Sequence, residues 1–120
     1  MGTNYYYRWQ TQQDPPQWEE IHVGKQSAGW SFHFRGHPAD LAPGEPAIDS
    51  RTRWVRFMNM HPGALRNEYG TETPDPAIWV QALPAPTTHQ RAKEADMIPG
   101  WVRMPDRDAE GFYVDYEEFC

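Results

Sequence analysis

Ile21-His22-Val23-Gly24-Lys25-Gln26-Ser27-Ala28-Gly29-Trp30-Ser31-Phe32-His33-Phe34-Arg35 is the stretch from which the fold is read. Ile21 and Val23 alternate with His22, and Trp30, Phe32 and Phe34 alternate with Ser31, His33 and Arg35. Period-2 alternation on two short runs, joined by a Gly-bounded connection, predicts a β-hairpin with its rings on the core face. The N-terminal Asn4-Tyr5-Tyr6-Tyr7-Arg8-Trp9 is equally strand-prone and is expected to pair with it.

Twelve prolines cut the remaining chain into short windows. Proline in a helix interior costs about 3 kcal/mol, and in sheets it is confined to edges. Window 47–61 reads as a helix, with Asp49 or Ser50 as cap and Trp54, Phe57, Met58 and His61 at helical spacing. Asp75-Pro76 opens a second, short helix with Asp as N-cap. Its apolar face is expected to be Ile78, Trp79, Ala82 and Leu83. Leu65–Glu72 should turn tightly around Gly70, and 84–98 reads as either a linker or an exposed helix anchored by Ala92, Ala95 and Met97. Two further strands, Trp101–Met104 and Phe112–Tyr116, flank the turn-rich Pro105–Gly111. The sum is a single α+β domain over residues 1–120, a small antiparallel sheet with one or two short helices packed on one face.

Such a domain must be built around rings. Leu, Ile and Val number 12 of 120 residues, against 17 Trp, Tyr and Phe. Each buried ring removes roughly 150–250 Å2 from water, so a small aromatic core suffices. Trp30, Phe32, Phe34, Trp54, Phe57 and Trp79 fall on patterned inward faces. Trp9, Trp18, Trp101 and the Tyr5–Tyr7 run have no assigned face, and exposed aromatics beside arginine are the usual chemistry of interaction hot spots.

Charge and cysteine usage remove several functions. A net charge of −6 and a pI near 5.2 argue against non-specific binding to phosphate backbones. The single cysteine, Cys120, leaves no internal disulfide and no Cys-based zinc site. No apolar run is long enough to span a membrane and the N-terminus lacks a signal-peptide core, so a cytoplasmic location is expected.

Catalytic motifs are wanting. Gly24-Lys25 is not a phosphate loop, because Glu19 stands where the first glycine belongs and Gln26 where a magnesium-binding hydroxyl belongs. A softer reading keeps an anion site, with the loop N–H groups, Lys25 and Ser27 flanked by His22 and Arg35. Its alternative is a structural loop in which Gly24 and Gly29 supply unusual dihedrals. Histidines 22, 33, 37, 61 and 89 show no metal spacing, since His33 and His37 sit on a strand leading to Pro38. No G-x-S-x-G and no Cys–His pair occur. Catalytic residues, metal and cofactor are therefore all expected to be none.

Two segments carry a resemblance. Met1-Gly2-Thr3-Asn4-Tyr5-Tyr6 followed by Ile21-His22-Val23-Gly24-Lys25-Gln26-Ser27-Ala28-Gly29-Trp30 resembles a family of small, largely uncharacterised bacteriophage and bacterial proteins. Asn67-Glu68-Tyr69-Gly70 and Asp108-Ala109-Glu110-Gly111-Phe112 are similar to its middle and end. Many of its members carry a Cys-x-x-Cys pair between the opening segments, whereas Gln10–Glu20 here has no cysteine and Ser31 follows Trp30. The resemblance implies a phage setting rather than a chemistry.

The leading expectation is a non-enzymatic phage-derived protein that binds, and so inhibits, a host defence or regulatory protein. Trp9, Trp18, Trp101, Glu117 and Glu118 are its candidate partner-binding residues. The alternatives are a nucleotide- or anion-binding module, in which hydrolase activity would centre on His22, Lys25, Ser27 and Arg35, and a minor virion component.

Overall fold

The computed structural model describes residues 2–27, 30–97 and 106–115. The elements run β1 (Gly2–Gln13), β2 (Pro16–Ser27), β3 (His33–Arg35), α1 (Arg51–Met60), β4 (Gly63–Asn67), β5 (Glu72–Thr73), α2 (Pro76–Gln81), α3 (Thr88–Met97), β6 (Asp106–Arg107) and β7 (Tyr113–Asp115). Seven strands form one sheet in the order β5-β4-β1-β2-β3-β7-β6. Every neighbouring pair is antiparallel except β3 with β7. The fold is the expected α+β class. The expected strand Trp101–Met104 lies outside the described residues, as do Ala28 and Gly29.

The long β1–β2 pair is the frame. Its strands are joined at Asp14-Pro15, whose peptide bond is cis. The expected hairpin between β2 and β3 also forms, but it is short, with Gly24 opposite Phe34 and Lys25 opposite His33. Gly24–Ser27, expected as a connecting loop, continues β2 and pairs with Gly2–Tyr5. Gly24 therefore supplies close approach rather than an unusual dihedral. A Cβ there would strike the His33 carbonyl oxygen and the Phe32 ring. A bulge shifts the register between Tyr5, opposite Gly24, and Tyr6, opposite His22. Val23 is the extra residue on β2, and it is buried in the core with Ile21.

One face of this sheet is sealed by rings. Tyr7 and Trp9 of β1, Phe34 of β3, Trp54 and Phe57 of α1, and Phe32 and Phe112 are buried together. Trp9 meets Phe57 edge-on at 5.0 Å, and Phe34 meets Phe112 edge-on at 5.3 Å. Edge-to-face pairs add about 0.5–1.5 kcal/mol beyond area burial, which offsets the shortage of aliphatics. The Tyr7 hydroxyl donates to the His61 carbonyl at 2.5 Å, satisfying the C-terminal end of α1. Burial pushes that phenol up to about 12.

The helices follow local chemistry. Ser50 caps α1, its hydroxyl accepting the Arg53 N–H at 3.1 Å. Asp75 does not cap α2, because it adopts a left-handed conformation (φ 50) and its side chain makes no cap bond. The expected apolar face of α2 is also rotated. Six residues leave room for one inward turn, which Val80 fills, and Ile78 is 69% exposed. Trp79 still reaches the ring face, 4.9 Å from Tyr5. Segment 88–97 is helical, yet Ala92 and Ala95 are exposed and, over 88–96, the buried residue is Glu94; the Met97 side chain lies outside what is described. The β4–β5 turn forms around Gly70 (φ 83), with the Asn67 carboxamide oxygen accepting two backbone N–H groups.

Arg51 ties distant pieces together. Its Nε donates to Glu110 Oε1 at 3.0 Å, its Nη2 pairs with the other oxygen, and its Nη1 donates to the carbonyls of Gln81 and Leu83. The guanidinium also lies 4.8 Å from the centre of the Phe112 ring. Asp108 accepts the Arg51 backbone N–H at 3.0 Å, capping α1 from across the chain. We expect Arg51→Lys to cost about 2–3 kcal/mol in urea unfolding, because a single ammonium cannot serve the carboxylate and both carbonyls. A cost below about 0.5 kcal/mol would show that the fork is incidental.

Candidate functional site

Side chains pointing away from the rings make up the second face of the sheet. Register places Arg8 opposite Glu20, Tyr6 opposite His22 and Gln10 opposite Trp18. The Tyr6 and His22 rings stack at 5.1 Å, and the Arg8 guanidinium lies 4.9 Å from the centre of the Trp18 ring. His22 Nε2 is 2.9 Å from Asn4 Oδ1. Trp18, Arg8, Tyr6 and His22 thus run along one face.

The outer part of this face stands on a two-stranded ribbon. β4 ends opposite Trp9, and β3 reaches only Gly24 and Lys25. Gln10–Glu20 therefore extends beyond both neighbours, and every residue in it is exposed. The molecule measures 50 × 29 × 23 Å and its radius of gyration is 14.8 Å, against about 13.6 Å for a compact chain of this length.

The ribbon is guarded against pairing with foreign strands. Pro15 and Pro16 have no N–H to offer, and Glu19 and Glu20 carry charge. Gln10 and Gln12 side chains donate to the carbonyls of Gln12 and Asp14 at 3.0 and 3.2 Å. What it presents is side chains, and Trp18 is the largest of them at 50% exposure.

The candidate anion residues are placed differently from the expected loop. Lys25 and Ser27 lie on β2, and His22 is buried against Asn4. His22 and Lys25 are close enough to His33 for their charge to act on it. Ser27 stands at the far end of the strand, opposite Gly2, and Arg35 sits on β3 opposite Asp115. The carboxylate held just past this segment is the chain's own. Ser31 donates its N–H and its hydroxyl to Glu94 at 2.6 and 3.0 Å. His37 binds the His22 carbonyl and His61 pairs with Glu45, so the histidines serve separate contacts. Among the described residues, no three His, Cys, Asp or Glu side chains are grouped to hold a metal ion.

The partner-binding candidates separate sharply. Trp9 is 2% exposed and packs on Phe57, so it belongs to the core rather than to a docking surface. Strand alternation decides this, because Trp9 shares the face of Tyr7. Trp18 is surface. Trp101, Glu117 and Glu118 lie outside the described residues. Arg8 and Tyr6 belong with Trp18, and the signal that could have found them is their common parity on β1. A concavity of about 260 Å3 opens between α1 and α2, lined by Met58, Asn59, Asp75, Ala77 and Ile78 among others.

His33 gives this face a pH signature. Burial depresses its pKa below 6.5, with Asp115 and Glu94 opposing that shift and His22 and Lys25 adding to it. The unfolded chain therefore takes up a proton at a higher pH than the folded one. Stability should fall as pH drops through 6.5 towards the folded value, with no contribution from this group above that window. Urea unfolding at about pH 8 and about pH 5 checks it, with His33→Asn expected to show the smaller drop. An equal drop in both proteins would assign the acid sensitivity elsewhere.

No protein-family model matches this chain, and no curated protein or solved structure is significantly similar to it.

Proposed function

We propose that this chain is a non-enzymatic binding protein of phage origin that engages a host protein through the second face of its β1–β2 ribbon. By occupying that protein it inhibits a host defence or regulatory activity in the bacterial cytoplasm. The observation that carries the reading is Trp18, half-exposed on a projecting ribbon and backed by Arg8 at 4.9 Å.

Trp, Tyr and Arg are the residues in which binding energy concentrates at protein interfaces, and the ribbon sets all three side by side. A stiff two-stranded support holds the indole with few rotamers to lose, which lowers the ordering cost of association. Asp14, Glu19 and Glu20 are carried on the same ribbon, and the chain carries −6 overall. That field speeds encounter with a basic surface, so the partner's contact region should be cationic. The phage origin rests on the resemblance of the opening segments. Among the described residues, no helix is long and apolar enough to cross a membrane.

Trp18→Ala and Arg8→Ala, alone and together, test this with the host protein captured from lysate and identified by mass spectrometry. Because Trp18 is half-exposed, each variant should keep its fold, with stability changed by less than about 1 kcal/mol. The Kd for the captured protein should rise about thirtyfold for Trp18→Ala, the size of a hot-spot truncation. Unchanged affinity in the folded double variant would remove the ribbon as the binding surface. A thermal shift with a nucleotide or inorganic phosphate, at unchanged partner affinity, would favour the anion-binding reading instead.

A further inference from the structure

Helix α3 is attached in an unusual way. From Thr88 to Asp96 only Glu94 is buried; Arg91, Ala92, Lys93, Ala95 and Asp96 are exposed. A helix normally docks through an apolar stripe, and over these residues this one docks through a carboxylate. Glu94 is 1% exposed. Its Oε2 accepts the Ser31 N–H at 2.6 Å and its Oε1 accepts the Ser31 hydroxyl at 3.0 Å. One residue therefore supplies two donors to the two oxygens of one carboxylate, the arrangement that makes charge-assisted bonds strong. Its charge also reaches His33 and Tyr113 on the second face of the sheet. Among the described residues, α3 is also tied by a bond from Arg107 Nη2 to the Arg91 carbonyl at 3.4 Å.

We propose that α3 is a displaceable latch, and that the seat formed by the N–H and hydroxyl of Ser31 is a carboxylate-binding site that Glu94 fills as an internal ligand. When α3 lifts, the seat is open to another carboxylate. The chemistry favours this over a permanent structural contact. A buried carboxylate is held only while its hydrogen bonds last, and almost no apolar area among the described side chains of α3 opposes opening. Segments with few apolar contacts occupy the low end of the local-unfolding scale, where a competing ligand shifts the population most readily.

Glu94→Gln keeps the size of the side chain and removes its charge. Amide exchange of Gln90–Asp96 should accelerate about tenfold or more in that variant, while the β1–β2 amides keep their protection. Glu94→Ala empties the seat. Acetate should then slow exchange at the Ser31 amide, and acetamide at the same concentration should not. Three results would overturn the proposal: unchanged α3 exchange in Glu94→Gln, loss of sheet protection together with that of α3, or equal effects of acetate and acetamide.

Discussion

The guanidinium of Arg51 is the joint on which the arrangement depends. It stands at the first turn of α1 and reaches the Glu110 carboxylate, the carbonyls that follow α2, and the Phe112 ring. These groups come from two stretches of chain, 81–83 and 110–112, that are distant in sequence from Arg51 and from each other. Phe112 is carried into the core against Phe34, next to the parallel β3–β7 pair. Parallel strands need a long crossover, and here nearly 80 residues separate the two. The pull of Arg51 on Glu110 holds that carboxyl below its ordinary range. Glu110 is only partly shielded, so the bond contributes through geometry and the satisfied carbonyls more than through raw Coulomb attraction.

With that joint closed, the two faces of the sheet take different roles. The ring face is filled from both sides by α1, α2 and the residues around β7, and it leaves the body little adaptable surface. Edge-on ring pairs add to the stability given by buried aliphatics such as Val23, Ile48, Leu65 and Val80. The opposite face keeps its polar groups, satisfied locally by pairs such as His22 with Asn4 and Glu94 with Ser31. Beyond the body the same face continues onto the ribbon, where no helix covers it. Trp18 sits there, with the guanidinium of Arg8 over its ring.

Much of this was legible in the sequence, and the failures have physical causes. Phe32, Phe34, Trp54 and Phe57 declared their faces by period 2 or by helical spacing, and Ser50 declared its cap. Pro15 and Pro16 read as a break in the chain, whereas they form the turn and the first paired residue of the longest hairpin. Without that register, Trp9 and Trp18 looked alike, although one lies with Tyr7 and the other with Arg8. Arg51 and Glu94 were not legible at all. A cation in the first turn of a helix and a carboxylate on a polar helix both read as solvated surface, and only a distant partner makes them buried. Just past the Gly24–Trp30 segment, Ser31 holds the carboxylate of an internal residue, Glu94.

The central claim is that recognition belongs to the uncovered face of the ribbon and not to the concavity between α1 and α2. Amide hydrogen exchange on the complex with the captured host protein compares the two directly, because the ribbon and the helix pair give separate peptides. Protection on binding confined to Arg8–Glu20, with 55–63 and 75–82 unchanged, is the result this account predicts. Protection along Val55–Gly63 and Asp75–Ala82, with the ribbon exchanging as it does in the free protein, would contradict it.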